Sequence, residues 1–174
     1  TKADDISEFE IEGISIGDSA LNFFSKEELE NRKKIGFVYD DKTFYSATYY
    51  NKAFFNFYDA VQLHLKPEDK NYTIYSLAGR IFFENNYDGC IDQMDIVLDD
   101  LRKMFTNSKF IDAGVETWVN SSGKKVKAKS YYLILEKDDE ISIECYDQPK
   151  SSTIIDNLNI SIDSYQFAKW LHNK

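Results

Sequence analysis

YTIYSLAGRIFFENNYDGCIDQMDIVLDDLRKMF, residues 72–105, reads as one strand, a tight corner and one long amphipathic helix. In the first part Tyr75, Leu77, Ile81 and Phe83 share one face with Gly79 between them, while Ser76, Arg80 and Glu84 take the other. That is the period of two of a half-buried strand. In the second part Ile91, Met94, Val97, Leu98, Leu101, Met104 and Phe105 recur at spacings of three and four, which draws one apolar stripe along a helix. The pattern predicts a helix over about 88–106 with Asp88 as N-cap. Asp92 and Asp95 then lie toward the positive end of its dipole, and Arg102 and Lys103 toward the negative end. Leu98, mid-stripe, is expected to pack on the strand face of Leu77 and Ile81.

The flanking sequence supplies further strands. Upstream, FEIEGISI (9–16) reads as an opening strand that stops at Gly17-Asp18, and Asp18 or Ser19 caps a short turn. Ser25 and Glu28, three apart, form a capping box that opens a helix. Residues 35–39 and 44–50 read as a hairpin, and 53–66 as a strand with Val61, Leu63 and Leu65 on one face and Gln62, His64 and Lys66 on the other. Downstream, 115–119 and 126–135 flank the turn Ser121-Ser122-Gly123. A second hairpin turns near Lys137 to Glu140 and returns through Ile141 to Tyr146. Residues 154–162 add a short strand or irregular segment, and Asp163 or Ser164 caps a terminal helix with Tyr165, Ala168 and Leu171 on its apolar side. The expected fold is α+β: an antiparallel sheet of about six to eight strands, the long helix on one face, and short helices near both termini.

At 174 residues, 43% of them apolar and 16% aromatic, the chain has the material for a single globular domain over 1–174. The formal charge of −9 argues against nucleic acid as a partner. The densest basic run, Lys124, Lys125, Lys127 and Lys129, alternates along a strand and reads as a solvated sheet edge that resists strand addition. No apolar run approaches the roughly 18 residues of a membrane span. The opening TKADDISEFE has the polar character of a segment that follows a removed export signal, although a trimmed chain reads the same way. An exported, periplasmic or secreted setting is the expectation.

Motifs for chemistry are sparse. His64 and His172 lack a second ligand at a metal-like spacing, and each reads as a solvated imidazole. Phosphate loops, dinucleotide glycine patterns and nucleophile elbows are missing from the sequence, so no cofactor and no metal is expected. The acidic groups Asp40-Asp41, Asp99-Asp100 and Asp138-Asp139-Glu140 sit at turns or on a solvent-facing helix flank. Cys90 and Cys145 are the only cysteines. One lies in the first turn of the long helix and the other on the inward face of a strand, so a disulfide is compatible with the pattern, as are two separate buried thiols.

The stretch 44–58, FYSATYYNKAFFNFY, departs most from an average composition, with eight aromatics in fifteen residues. Aromatics on both faces of a strand need two covers. Either the segment 19–34 folds over them, or Phe44, Tyr45, Tyr49, Tyr50, Phe54, Phe57 and Tyr58 form a platform for an unknown protein or small-molecule ligand.

Two blocks, FEIEGISIGDSALNFFSKEEL (9–29) and GRIFFENNYDGCIDQMDIVLDDLRKMF (79–105), resemble uncharacterised exported proteins of small-genome marine alphaproteobacteria. In those proteins a strand and GDS turn precede a short acidic helix, and a later strand leads into a Cys-bearing helix. More loosely, residues 11–31 are similar to the small outer-membrane-assembly lipoproteins, from which Phe23-Phe24 and the second cap at Ser25 depart. The resemblance implies export and carries no catalytic residues. The sequence thus points to a non-catalytic binding or interaction module. The alternative is a hydrolase-type enzyme whose carboxylates converge only in the fold.

Overall fold

The computed structural model describes residues 5–36, 39–120, 122–150 and 154–173. The first half of the chain forms α1 (Lys26–Ile35), β1 (Tyr45–Tyr50), β2 (Ala60–Leu65), β3 (Ser76–Phe82) and α2 (Tyr87–Met104). The second half forms β4 (Lys109–Val119), β5 (Lys125–Ile134), β6 (Glu140–Asp147), β7 (Asn157–Asp163) and α3 (Tyr165–His172). All seven strands join one antiparallel sheet in the order β1-β2-β3-β7-β6-β5-β4. The fold is α+β, as the sequence pattern predicts. Two meanders, β1–β3 and β4–β7, are linked through α2, and β7 closes the sheet by pairing with β3 from Ser76↔Asp163 to Phe82↔Asn157.

Period two assigns the core face: Tyr45, Ala47 and Tyr49 from β1, Val61, Leu63 and Leu65 from β2, Leu158, Ile160 and Ile162 from β7, and Ile141, Ile143 and Cys145 from β6. The stripe of α2 supplies Cys90, Met94, Leu98 and Leu101 to the same cluster. This helix lies over β6 and β7 rather than over β3. The difference from the expected partner strand follows from β7, which inserts between β3 and β6 and occupies the centre of the sheet. Cys90 and Cys145 are joined by a disulfide with a Cα–Cα distance of 6.0 Å, tying the first turn of α2 to β6.

Several local expectations change. Asn86, not Asp88, caps α2, with its Oδ1 accepting from the Gly89 N–H at 3.0 Å. Residues 9–16 form no strand. Glu12 and Gly13 both take positive φ, and the chain folds back so that Ile11 bonds to Ile14 and both are buried. A strand would have left one of those two isoleucines outside. Ile35 ends α1, whose Ser25–Glu28 capping box is present; Phe37 and Val38 of the expected 35–39 strand lie outside the described residues. The expected strand 53–66 starts only at Ala60, because 51–59 is the loop of the β1–β2 hairpin. Lys125, Lys127 and Lys129 belong to an interior strand, since β4 covers their edge.

On α3 the buried residues are Phe167 and Ala168, and Tyr165 and Leu171 are exposed. The helix packs through the flank that carries Phe167, because a pocket of rings awaits it there. Phe44, His64 and Trp170 surround it, with Phe44 and Phe167 centroids 5.1 Å apart and edge-on, and Tyr75 backs Phe44 from 5.5 Å. Each face of the sheet near β1 therefore has its own cover. On one side are α1 and the turn Ala20–Asn22, with Phe24 stacked on Tyr49 at 3.8 Å, and on the other is α3.

Candidate functional site: the open face of the sheet

The face opposite α2 is polar along its whole width. Alternation puts Thr48, Gln62, Arg80, Asn159, Glu144 and Ser130 there, one from each of six strands, and their side chains join hands across it. Gln62 donates to Thr48 Oγ1 at 3.0 Å. Arg80 donates from Nη2 to Gln62 Oε1 at 3.0 Å and from Nε to Asn159 Oδ1 at 3.2 Å. Glu144 accepts from Asn159, from Ser130 Oγ at 3.4 Å and from the Tyr146 hydroxyl at 2.8 Å. Burial pushes the Glu144 carboxyl above the usual carboxylate range, and these hydrogen bonds pull it back. Ala60, Ala78, Val126 and Ala128 form a small-residue floor between the polar groups. Half-exposed rings stand beside it: Tyr132, Tyr146 and Trp118, the last two in an edge contact at 6.2 Å. Trp118 is the most exposed of the three.

A second row runs parallel to the first and lies under α3. Here the Tyr39 hydroxyl meets His64 Nε2 at 3.2 Å, His64 Nδ1 meets Ser76 Oγ at 3.1 Å, and Ser76 bonds to Asp163. Ser161 also donates to Asp163, at 3.0 Å. Because the carboxylate only accepts, Ser76 donates to Asp163. Nδ1–H of a neutral imidazole then donates to Ser76, and Tyr39 donates to Nε2. Glu140 faces Asp163 across β6 and β7 and pairs with His172 at 3.0 Å. His64 is buried, not solvated as its place on a polar strand face suggests, because Phe167 lies 4.5 Å from its ring. The row contains Ser, His and Asp but not in nucleophile order: the serine sits between the other two and has no exposed surface. Among the described residues no three His, Cys, Asp or Glu side chains gather as a metal ion would need.

Titration of this row has a measurable signature. Burial drops His64 to about 3 from its ordinary 6.5, and burial raises Asp163 to about 6 from 3.8. For His64 the stabilisation is complete above pH 6.5 and is lost as pH falls toward 3. For Asp163 it is complete below 3.8 and is lost as pH rises through 6. Between pH 4 and 6 the two slopes oppose each other. Asp163→Asn leaves the His64 slope alone, so the variant is expected to lose about 1.4 kcal/mol per pH unit relative to wild type on acidification over that window. Denaturant midpoints of the two proteins at several pH values measure it.

The aromatic stretch divides three ways. Phe44, Tyr45 and Tyr49 are buried, the first under α3 and the other two in the main core. Phe55 and Tyr58 are half-buried, and the Tyr58 ring lies on Gly79, where a Cβ would come within 2.5 Å of it. Tyr50, Phe54 and Phe57 remain exposed at 51%, 36% and 64%. The loop that carries the last two is held by Glu12, whose carboxylate accepts from the Asn56, Phe57 and Tyr58 N–H groups at 2.6–2.7 Å. The seven residues thus do not form one surface. Neither Arg80, Asn159 and Glu144 nor Tyr146 stood out in the sequence. The signal was the polar half of each strand's alternation, which shows its meaning only once the strand order is known. No protein family, curated protein or solved structure was found to match this chain.

Proposed function

We propose that the protein is a non-catalytic binding module whose ligand lies across the open face of the sheet. The observation that supports this reading is the ladder from Thr48 to Ser130. It is a fixed array of amide, guanidinium, carboxylate and hydroxyl groups, held by its own hydrogen bonds and flanked by rings on which a ligand can stack. Arg80 and Glu144 offset each other in charge, which favours a neutral polar ligand. An exported setting fits the same reading, since the Cys90–Cys145 bridge persists in an oxidising compartment. The hydrolase alternative has one observation behind it, the opposition of Glu140 and Asp163. Both carboxyls are buried, so a substrate would reach them only after α3 had moved.

Thermal-shift screening against sugars, amino acids, nucleosides and lipid headgroups tests the proposal when run on wild type and Arg80→Ala in parallel. The expected result is a stabilising compound whose effect disappears in Arg80→Ala. Turnover of a compound, or a shift of equal size in both proteins, would contradict it.

A further inference from the structure

The two edges of the sheet are unlike. Beside β1 lies the end of α1, with Gly36 so near the Ser46 carbonyl that a Cβ there would sit 2.1 Å from it. On the other side β4 pairs with β5 alone among the described strands, and every one of its residues is exposed or half-exposed. Val115, Trp118 and Val119 on it are 57%, 41% and 66% exposed. A long edge with apolar side chains is the kind that proteins ordinarily protect. A bulge between Asp112 and Gly114, closed by the Gly114 N–H on Asp112 Oδ1 at 2.8 Å, confines the regular part to Gly114–Val119.

The direction of the free backbone groups follows from the hairpin. Asn120 N–H donates to Lys124 O at 2.8 Å, so Asn120 and Lys124 are a hydrogen-bonded pair. Alternation then makes Trp118/Val126 and Glu116/Ala128 bonded pairs and turns the N–H and C=O of Val115, Thr117 and Val119 outward. We infer that this segment is a self-association edge, which pairs antiparallel with the same segment of a second copy about a two-fold axis at Thr117. That register sets Val115 opposite Val119 of the partner copy and Thr117 opposite its counterpart, β-branched pairs on a single face. Glu116 falls opposite Trp118. Shifting the axis to Glu116 would oppose two glutamates, and shifting it to Gly114 would oppose Asp112 and Glu116. The lysines of β5 do not interfere, because three strand spacings, about 14 Å, separate the two rows, more than a Debye length of about 8 Å at physiological salt. Pairing of this kind buries little area, so the dimer is weak and concentration-dependent. It joins two open faces edge to edge, beyond the single-chain site proposed above.

Sedimentation velocity from low micromolar to submillimolar chain concentration tests it. Wild type is expected to move from the monomer to the dimer sedimentation coefficient. Thr117→Pro is expected to stay monomeric with an unchanged melting midpoint, since it removes an outward N–H that β5 does not use. If that variant fails to fold, Val119→Lys provides the same comparison through charge. A wild type that remains monomeric throughout, or a dimer that survives in the folded variants, would overturn the inference.

Discussion

Cys90→Ala combined with Cys145→Ala is expected to lower the stability of the chain by about 4 kcal/mol. The bridge closes a sequence separation of 55, and in the chain-entropy model a loop of that size removes about that much unfolded-state freedom. For a chain of this length the melting midpoint should fall by roughly 8–16 °C, at about 2–4 °C per kcal/mol. Reductant should reproduce the loss in wild type and leave the double variant unmoved. That comparison separates the crosslink from the packing of the two buried side chains. A double variant that melts with wild type under oxidising conditions would remove the link between α2 and β6.

Leu98→Ala should cost about 2–5 kcal/mol, the second large effect. Leu98 is buried mid-stripe on α2, in the cluster that includes Leu158, Ile160 and Ile143. A cavity there is bounded by a helix on one side and by the two central strands on the other, so neighbouring side chains have little room to close it. Chemical denaturation measures the loss. An unchanged midpoint would mean that α2 does not rest on β6 and β7.

The long helix was legible because its stripe of Met94, Leu98 and Leu101 is a local pattern, satisfied at spacings the chain itself sets. The same holds for the Ser25–Glu28 box and for the hairpin at Ser122-Gly123, where Gly123 takes a φ of +73° that few other residues accept. What the sequence hid was long-range. Leu158, Ile160 and Ile162 alternate like any strand, yet nothing local says that they pair with β3 and β6, 79 residues apart in the case of Arg80 and Asn159. Without that pairing the polar members of six strands are only surface residues, and the ladder has no existence. Residues 9–16 misled for a different reason. Their alternation is that of a strand, but the two left-handed residues Glu12 and Gly13 reverse the chain before a ladder can form. The aromatic stretch left two readings open, cover by 19–34 or a platform, because the number of rings does not say which of them face inward. Phe24 and α3 take up Tyr49 and Phe44, while Tyr50, Phe54 and Phe57 stay exposed.

The proposed ligand face is tested most directly by locating a bound compound. Amide chemical-shift mapping of the full chain, with the compound that stabilises it most as titrant, reads the position residue by residue. The expected perturbations fall on Thr48, Gln62, Arg80, Asn159, Glu144 and Ser130, with the Trp118 indole signal moving alongside them. Perturbations confined to the hairpin loop around Phe54 and Phe57, or to the α2 side of the sheet, would contradict the open face as the binding surface.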